Sequence, residues 1–181
     1  AIQFLSGAPA SEFAVDAAQS FGSDSANRTF ARIDSGELGA GTRLYLAVAD
    51  SSMAKWKGEG DQDVRMYNFK LAQPVGEGEL TFFYNNSDRA ETDYQDLSKD
   101  IVARRGRDWD NWYPNWTDAV AAADACNASG QSDAIACDDA YWNASGLRQD
   151  DLGYVALALP FGEAFELDAN VYMHRNEGQG L

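Results

Sequence analysis

Six aromatic residues crowd the second half of the chain: Trp109, Trp112, Tyr113 and Trp116, followed by Tyr141 and Trp142. Ring faces at that density can stack on sugars or on an aromatic ligand. The same rings can also form the small core of a folded loop or an interfacial girdle. The core is the expectation, because a folded loop needs apolar contacts of its own. Residues 85–151 around them carry 14 acids against 6 bases, a net of −8 within a chain whose formal charge is −15. Such a field repels an anionic ligand and accommodates neutral sugars, cations or divalent ions, while a solvated acidic surface binding nothing is the simplest reading.

Other chemistry is sparse. Cys126 and Cys137 stand eleven positions apart in a Ser/Asn/Gly/Asp-rich stretch. The one histidine, His174, is distant and there is no second cysteine pair, so a zinc site is not expected. A local disulfide fits better and implies an oxidising compartment. Asp138 and Asp139 lack the loop pattern of an EF-hand, and no metal or cofactor is expected. There is no Gly-x-Ser-x-Gly elbow, P-loop, His-Glu-x-x-His or Cys-x-x-Cys, and no two carboxylates are singled out for one cleft, so the chain is not read as an enzyme. With 14 Lys+Arg against 29 Asp+Glu, it has no basic face for nucleic acid.

The elements that must carry these residues alternate with period two, the strand signature. Residues 12–21, 27–34, 42–49, 64–73, 79–86, 151–159 and 165–174 read as seven strands. Their length of about 8–11 residues suits a tilted crossing of a bilayer. In 165–174 one face reads Phe165, Leu167, Ala169, Val171, Met173 and the other Glu166, Asp168, Asn170, Tyr172, His174. That split fits a wet interior with an apolar exterior, and equally a half-exposed soluble sheet. The connections favour the first. Gly/Pro-rich turns at 36–41, 74–78 and 160–164 alternate with a brief link at 22–25, a longer one at 50–63 and a very long one at 86–150. Sorting of short turns to one end and long loops to the other is a habit of membrane barrels. Within the long loop, 99–105 reads as a helix stopped by Gly106, and Thr117 is placed to cap a second helix over 118–126. The fold expected is therefore all-β, an antiparallel up-and-down meander forming part of a transmembrane β-barrel, with short helices in one long outer loop.

Particular strings go further. Ala1-Ile-Gln-Phe-Leu-Ser-Gly-Ala-Pro9 resembles the end of the plug domain of TonB-dependent outer-membrane receptors, with Ser6-Gly7 where the family often has Thr-Lys. Phe21-Gly-Ser-Asp24 with Arg28-Thr-Phe-Ala-Arg32 and Asp34-Ser-Gly36 resembles the first barrel hairpin. Lys55-Trp-Lys-Gly58 before 64–70 is similar to the second outer loop and its returning strand. Tyr94-Gln-Asp-Leu97 and Asp108-Trp-Asp-Asn-Trp-Tyr-Pro-Asn-Trp116 resemble a long outer loop, and 172–180 a strand entering the next one. Together these strings span most of the chain in the expected order.

The resemblance implies a plugged barrel importing scarce nutrients such as ferric siderophores, cobalamin or oligosaccharides. Its partners would be the inner-membrane TonB complex, reached through a plug that precedes this segment, and the lipid and lipopolysaccharide of the outer membrane. Residues 1–9 would end the plug and 10–181 would begin the barrel. Seven strands cannot close a barrel of the 22-stranded class, and lipid does not tolerate an open edge, so the segment is expected to work only within a longer protein. Arg28, Arg32, Arg43, Lys70, Asp168, Asn170, Tyr172 and His174 are then expected to face the lumen. The alternative is a secreted, soluble β-sandwich binding carbohydrate through its loop tryptophans. Five Asn-x-Ser/Thr sequons, at Asn27, Asn85, Asn115, Asn127 and Asn143, speak for it mildly.

Overall fold

A computed structural model of the chain describes residues 5–128, 141–142, 145–162 and 164–180. Seven strands follow one another: β1 (Phe13–Phe21), β2 (Asn27–Ser35), β3 (Arg43–Ala54), β4 (Asp61–Val75), β5 (Gly78–Thr92), β6 (Ser145–Phe161) and β7 (Phe165–Gln179). Two helices, α1 (Lys99–Arg105) and α2 (Trp116–Ala128), lie between β5 and β6. All seven strands form one antiparallel sheet in sequence order, an up-and-down meander. No second sheet faces it among the described residues.

Every strand expected from alternation is present, and five of them run further than expected by three residues or more at one end. β3 continues to Ala54, β4 starts at Asp61, β5 continues to Thr92, β6 starts at Ser145 and β7 reaches Gln179. The expected loop 50–63 therefore shrinks to 55–60, and 86–150 to 93–144. In these extensions both faces are mostly polar, Met53 and Leu147 apart, so the period-two signal fades. Main-chain pairing persists nonetheless, as in Ser51↔Val64, Asp88↔Gln149 and Asp150↔Asn176. A ladder needs only donors and acceptors in register, not an apolar stripe.

Register decides which side chains share a face, since paired residues in a sheet point the same way. One face carries Val15, Ile33, Leu46, Phe69 and Tyr84 across β1 to β5, and Leu44, Leu71, Phe82, Val155 and Val171 across β3 to β7. Nearly all the exposed large hydrophobic side chains on the strands belong to this face, Tyr172 being the exception. Towards the 55–60 end the same face turns polar through Asp50, Arg65, Asp88, Asp151 and Arg175. The burial is inverted relative to a water-soluble sheet. Phe13, Phe165 and Val171 are about three-quarters exposed, while Asp34, Lys55 and Lys57 are buried. At roughly 1.5–3 kcal/mol for each large apolar side chain, leaving a whole sheet face in water forgoes more than the 5–15 kcal/mol that usually holds a domain together.

Candidate functional site

The opposite, polar face holds all eight residues expected to line a lumen. Arg32, Ala47, Asn68, Asn85, Leu152 and His174 fall on one register row, and Arg43, Ala72, Thr81, Ala156 and Asn170 on another. Arg28, Lys70, Asp168 and Tyr172 lie on parallel rows of the same face. The row through Asp34, Tyr45, Lys70, Phe83, Tyr154 and Tyr172 crosses β2 to β7 and mixes charge with aromatic rings.

Residues 5–10 lie along that row as a strap. Asp34, fully buried, accepts from the Ala10 amide at 2.8 Å and holds the Arg32 guanidinium through both carboxylate oxygens at 2.7 Å. Arg32 in turn donates to the Ala8 carbonyl at 2.9 Å and stacks 3.9 Å above the Tyr45 ring. Further along, the Ser6 hydroxyl meets Tyr154 at 2.6 Å and receives Lys70 Nζ at 3.0 Å. Tyr45, Ala72 and Phe83 are buried on this face, the last stacked on Tyr154 at 5.1 Å. Residues 5–10 thus cross the polar face and leave the apolar one bare; residues 1–4 of the string lie outside the described residues.

The long connection between β5 and β6 folds as a cap. Ser98 accepts from the Ile101 amide at 3.1 Å to start α1, and Gly106 ends it, as the sequence suggests. The second helix differs from expectation: it begins at Trp116, and Asn115 rather than Thr117 caps it. The Asn115 carboxamide oxygen accepts from the Asp118 amide at 3.0 Å while its nitrogen donates to the Asp118 carboxylate at 2.7 Å. Asparagine has both groups at the right reach, so the helix gains two residues at its start. Cys126 is disulfide-bonded; Cys137 lies outside the described residues.

A buried ion pair ties this cap to the β3–β4 loop. Lys55 Nζ lies 2.6 Å from Asp110 Oδ2, with side-chain exposures of 0% and 1%. The same ammonium donates to the Asp93 carbonyl at 2.9 Å, and the Tyr141 hydroxyl donates to Asp110 Oδ1 at 2.7 Å. Burial first, and then the bond to Asp110, push the Tyr141 hydroxyl far above its ordinary pKa, so it stays a donor. Gly58 is required beside this knot: it has φ +69°, and a Cβ there would lie 2.6 Å from the Asp110 side-chain carbons. Nearby, Lys57 donates to the Gln95 carbonyl at 2.7 Å, and Trp56 stacks on Tyr94 with ring centroids 6.0 Å apart.

The six aromatic residues singled out by sequence divide into different roles. Trp112 forms a bridge with Tyr141, Tyr113 donates its amide to the Tyr141 carbonyl at 2.8 Å, and Trp112 Nε1 is buried without an acceptor among the described residues. These three are partly buried and joined to one another within the cap. Trp109 is half-buried. Trp116 and Trp142 are exposed and meet edge to face at 6.2 Å, which leaves them as the rings open to a ligand. Missed from sequence were Lys55, Trp56, Lys57 and Tyr94, although they stand in two strings that carry the resemblance. Nothing local marks Lys55 as buried; its carboxylate partner is 55 residues away. Among the described residues no group of three or more His, Cys, Asp or Glu side chains is arranged to hold a metal. Compared with family models, with curated proteins and with solved structures, the chain matches none of them.

Proposed function

We propose that this chain is the beginning of the barrel of a TonB-dependent outer-membrane receptor, with residues 5–10 as the last link from a plug to the barrel wall. The observation that carries the reading is the inverted sheet: a continuous apolar face left uncovered, opposite a polar face crossed by the entering chain. From Phe165 to Met173 the apolar stripe of β7 is about 27 Å long, or about 21 Å high at the usual tilt of ~40°, near the ~25 Å apolar band of outer-membrane barrels. Tyr67 and Tyr84 stand where this face turns polar, as girdle residues do. The short turns at one end and the pinned loops at the other agree with a periplasmic and an outer rim. Within this reading, the parent protein takes up a scarce nutrient with energy from the TonB complex and touches lipopolysaccharide at its outer rim. The chain's own task is to form wall, strap and cap; no catalysis is assigned to it.

The test is labelling of the parent protein in intact outer membranes. Val155→Cys on the apolar face is expected to react with a lipid-soluble maleimide and resist a charged, water-soluble one; Asp168→Cys on the polar face should show the reverse preference. Recovery of the protein in the soluble fraction, with Val155→Cys open to the charged reagent, refutes the membrane reading. Failure of the membrane-embedded protein to bind the periplasmic domain of TonB refutes the energy coupling alone.

A further inference from the structure

The outer end of the polar face holds a cleft of about 370 Å³ with an unusual wall. Arg89 and Arg148 stand directly opposite each other on β5 and β6, in register and on one face. Like charges in that position destabilise a ladder unless something of opposite sign lies between them. The protein supplies part of it: Glu91 and Asp93 also line the cleft. Glu91 reaches Arg89 only at 3.4 Å, and Arg148 forms no ion pair within 4 Å among the described residues. Asp150, two residues along β6, has its Oδ1 taken up by Asn176 and by His174 at 3.2 Å.

The floor beside the two arginines is backbone, with the Asp93 carboxylate reaching over Gly146 at one side. Gly146 and Gly178 occupy the positions of the same face across from Glu91 and Arg148, with Gly180 next in line. At Gly178 no side chain fits, because a Cβ would lie 2.3 Å from the Leu147 carbonyl oxygen. Two cations above a glycine floor leave room for a ligand, and the volume falls within the range of small-molecule sites.

We infer that Arg89 and Arg148 form an oxyanion subsite, taking a carboxylate or phosphate group of a small polar ligand between their guanidinium forks, with Asn176 at its rim. Guanidinium pairs suit both groups through parallel N–H···O bonds. The acidic loop nearby, whose Asp93 lines the cleft, weakens this attraction without cancelling it. Its field slows the approach of an anion, whereas contact at the subsite is set by the two arginines. As a statement about cargo, the subsite rests on the receptor reading above; as a statement about binding, it does not.

The experiment titrates the purified full-length protein in detergent with citrate, inorganic phosphate and maltotriose, by calorimetry. Citrate or phosphate is expected to bind, the tighter of the two naming the group recognised. Arg89→Gln and Arg148→Gln are each expected to weaken that binding about tenfold or more, the loss of a charge-assisted contact. Arg65→Gln, an exposed cation on the other face paired with Asp50, controls for net charge and should change nothing. Unchanged heat-modifiable gel mobility would show that the variants remain folded. The inference is overturned if neither oxyanion binds at about 10 mM, if both arginine variants bind as the parent does, or if only maltotriose binds. Arginine-dependent binding by a protein found in the soluble fraction would keep the subsite and discard the receptor. A membrane-embedded protein without oxyanion binding would do the opposite.

Discussion

Replacing Lys55 by Met tests whether the cap is fixed or loose. The pair Lys55–Asp110 is 2.6 Å long and its side chains are 0% and 1% exposed, so solvent cannot substitute for the missing ammonium. Removing one partner of a buried pair costs about 3–5 kcal/mol, because the remaining charge is stranded. Here the stranded group is Asp110, left with the Tyr141 hydroxyl, the Asn111 amide and the crowding of Gly58. If the cap opens locally, that cost raises the open population by roughly two to three and a half orders of magnitude. The readout is hydrogen exchange at the amides that stitch the cap, Asn111 to Gln95 and Tyr113 to Tyr141. Both should exchange faster by that factor, while amides in the β5–β6 ladder stay protected. The double variant Lys55→Met with Asp110→Asn removes both charges without adding bulk beside Gly58, and should recover most of the protection. Exchange in Lys55→Met within tenfold of the parent would refute the reasoning, since the pair would then not hold the cap.

Three further outcomes follow from the same geometry. The Tyr141 hydroxyl, whose folded pKa is raised, gives stability that is complete below about pH 10 and lost as pH rises beyond it; the protection factor at the Tyr113 amide, its rate relative to an unfolded chain at the same pH, should therefore fall above pH 10 in the parent and stay constant in Tyr141→Phe. Asp34→Ala removes the acceptor of the Ala10 amide and leaves Arg32 without its carboxylate; limited proteolysis should then cut within 5–10, with the sheet intact by circular dichroism, and a strap as resistant as the parent's would contradict the assignment. Trp112→Ala should expose the cap to protease, whereas Trp116→Ala, at a ring 62% exposed, should leave it resistant; equal sensitivity of both would show that the aromatic residues do not divide as described.

Much of the architecture was legible in the residues because it rests on local pattern. Alternation of side chains is a property of each strand separately, and the seven stripes place Phe165, Leu167 and Val171 opposite Asp168, Asn170 and Tyr172 without any knowledge of neighbours. Glycine and proline mark the turns for equally local reasons, and the helix at Lys99–Arg105 carries its start and stop within its own sequence. Tertiary structure decided what depends on distant partners. The ends of β3 to β7 nearest residues 55–60 are strands because another chain segment lies in register, not because their side chains alternate in polarity. The cap of the second helix is local and was still misread, since Asn115, three residues before Asp118, takes the place expected for Thr117. Lys55 became a buried anchor only when folding delivered Asp110 and Tyr141 to it, and Arg89 and Arg148 faced each other only once β5 and β6 took their register. Sequence alone determined which faces are apolar, since that is written two residues at a time. Which charges meet, and what is left unpaired between them, was decided by the pairing of strands whose facing residues stand tens of positions apart.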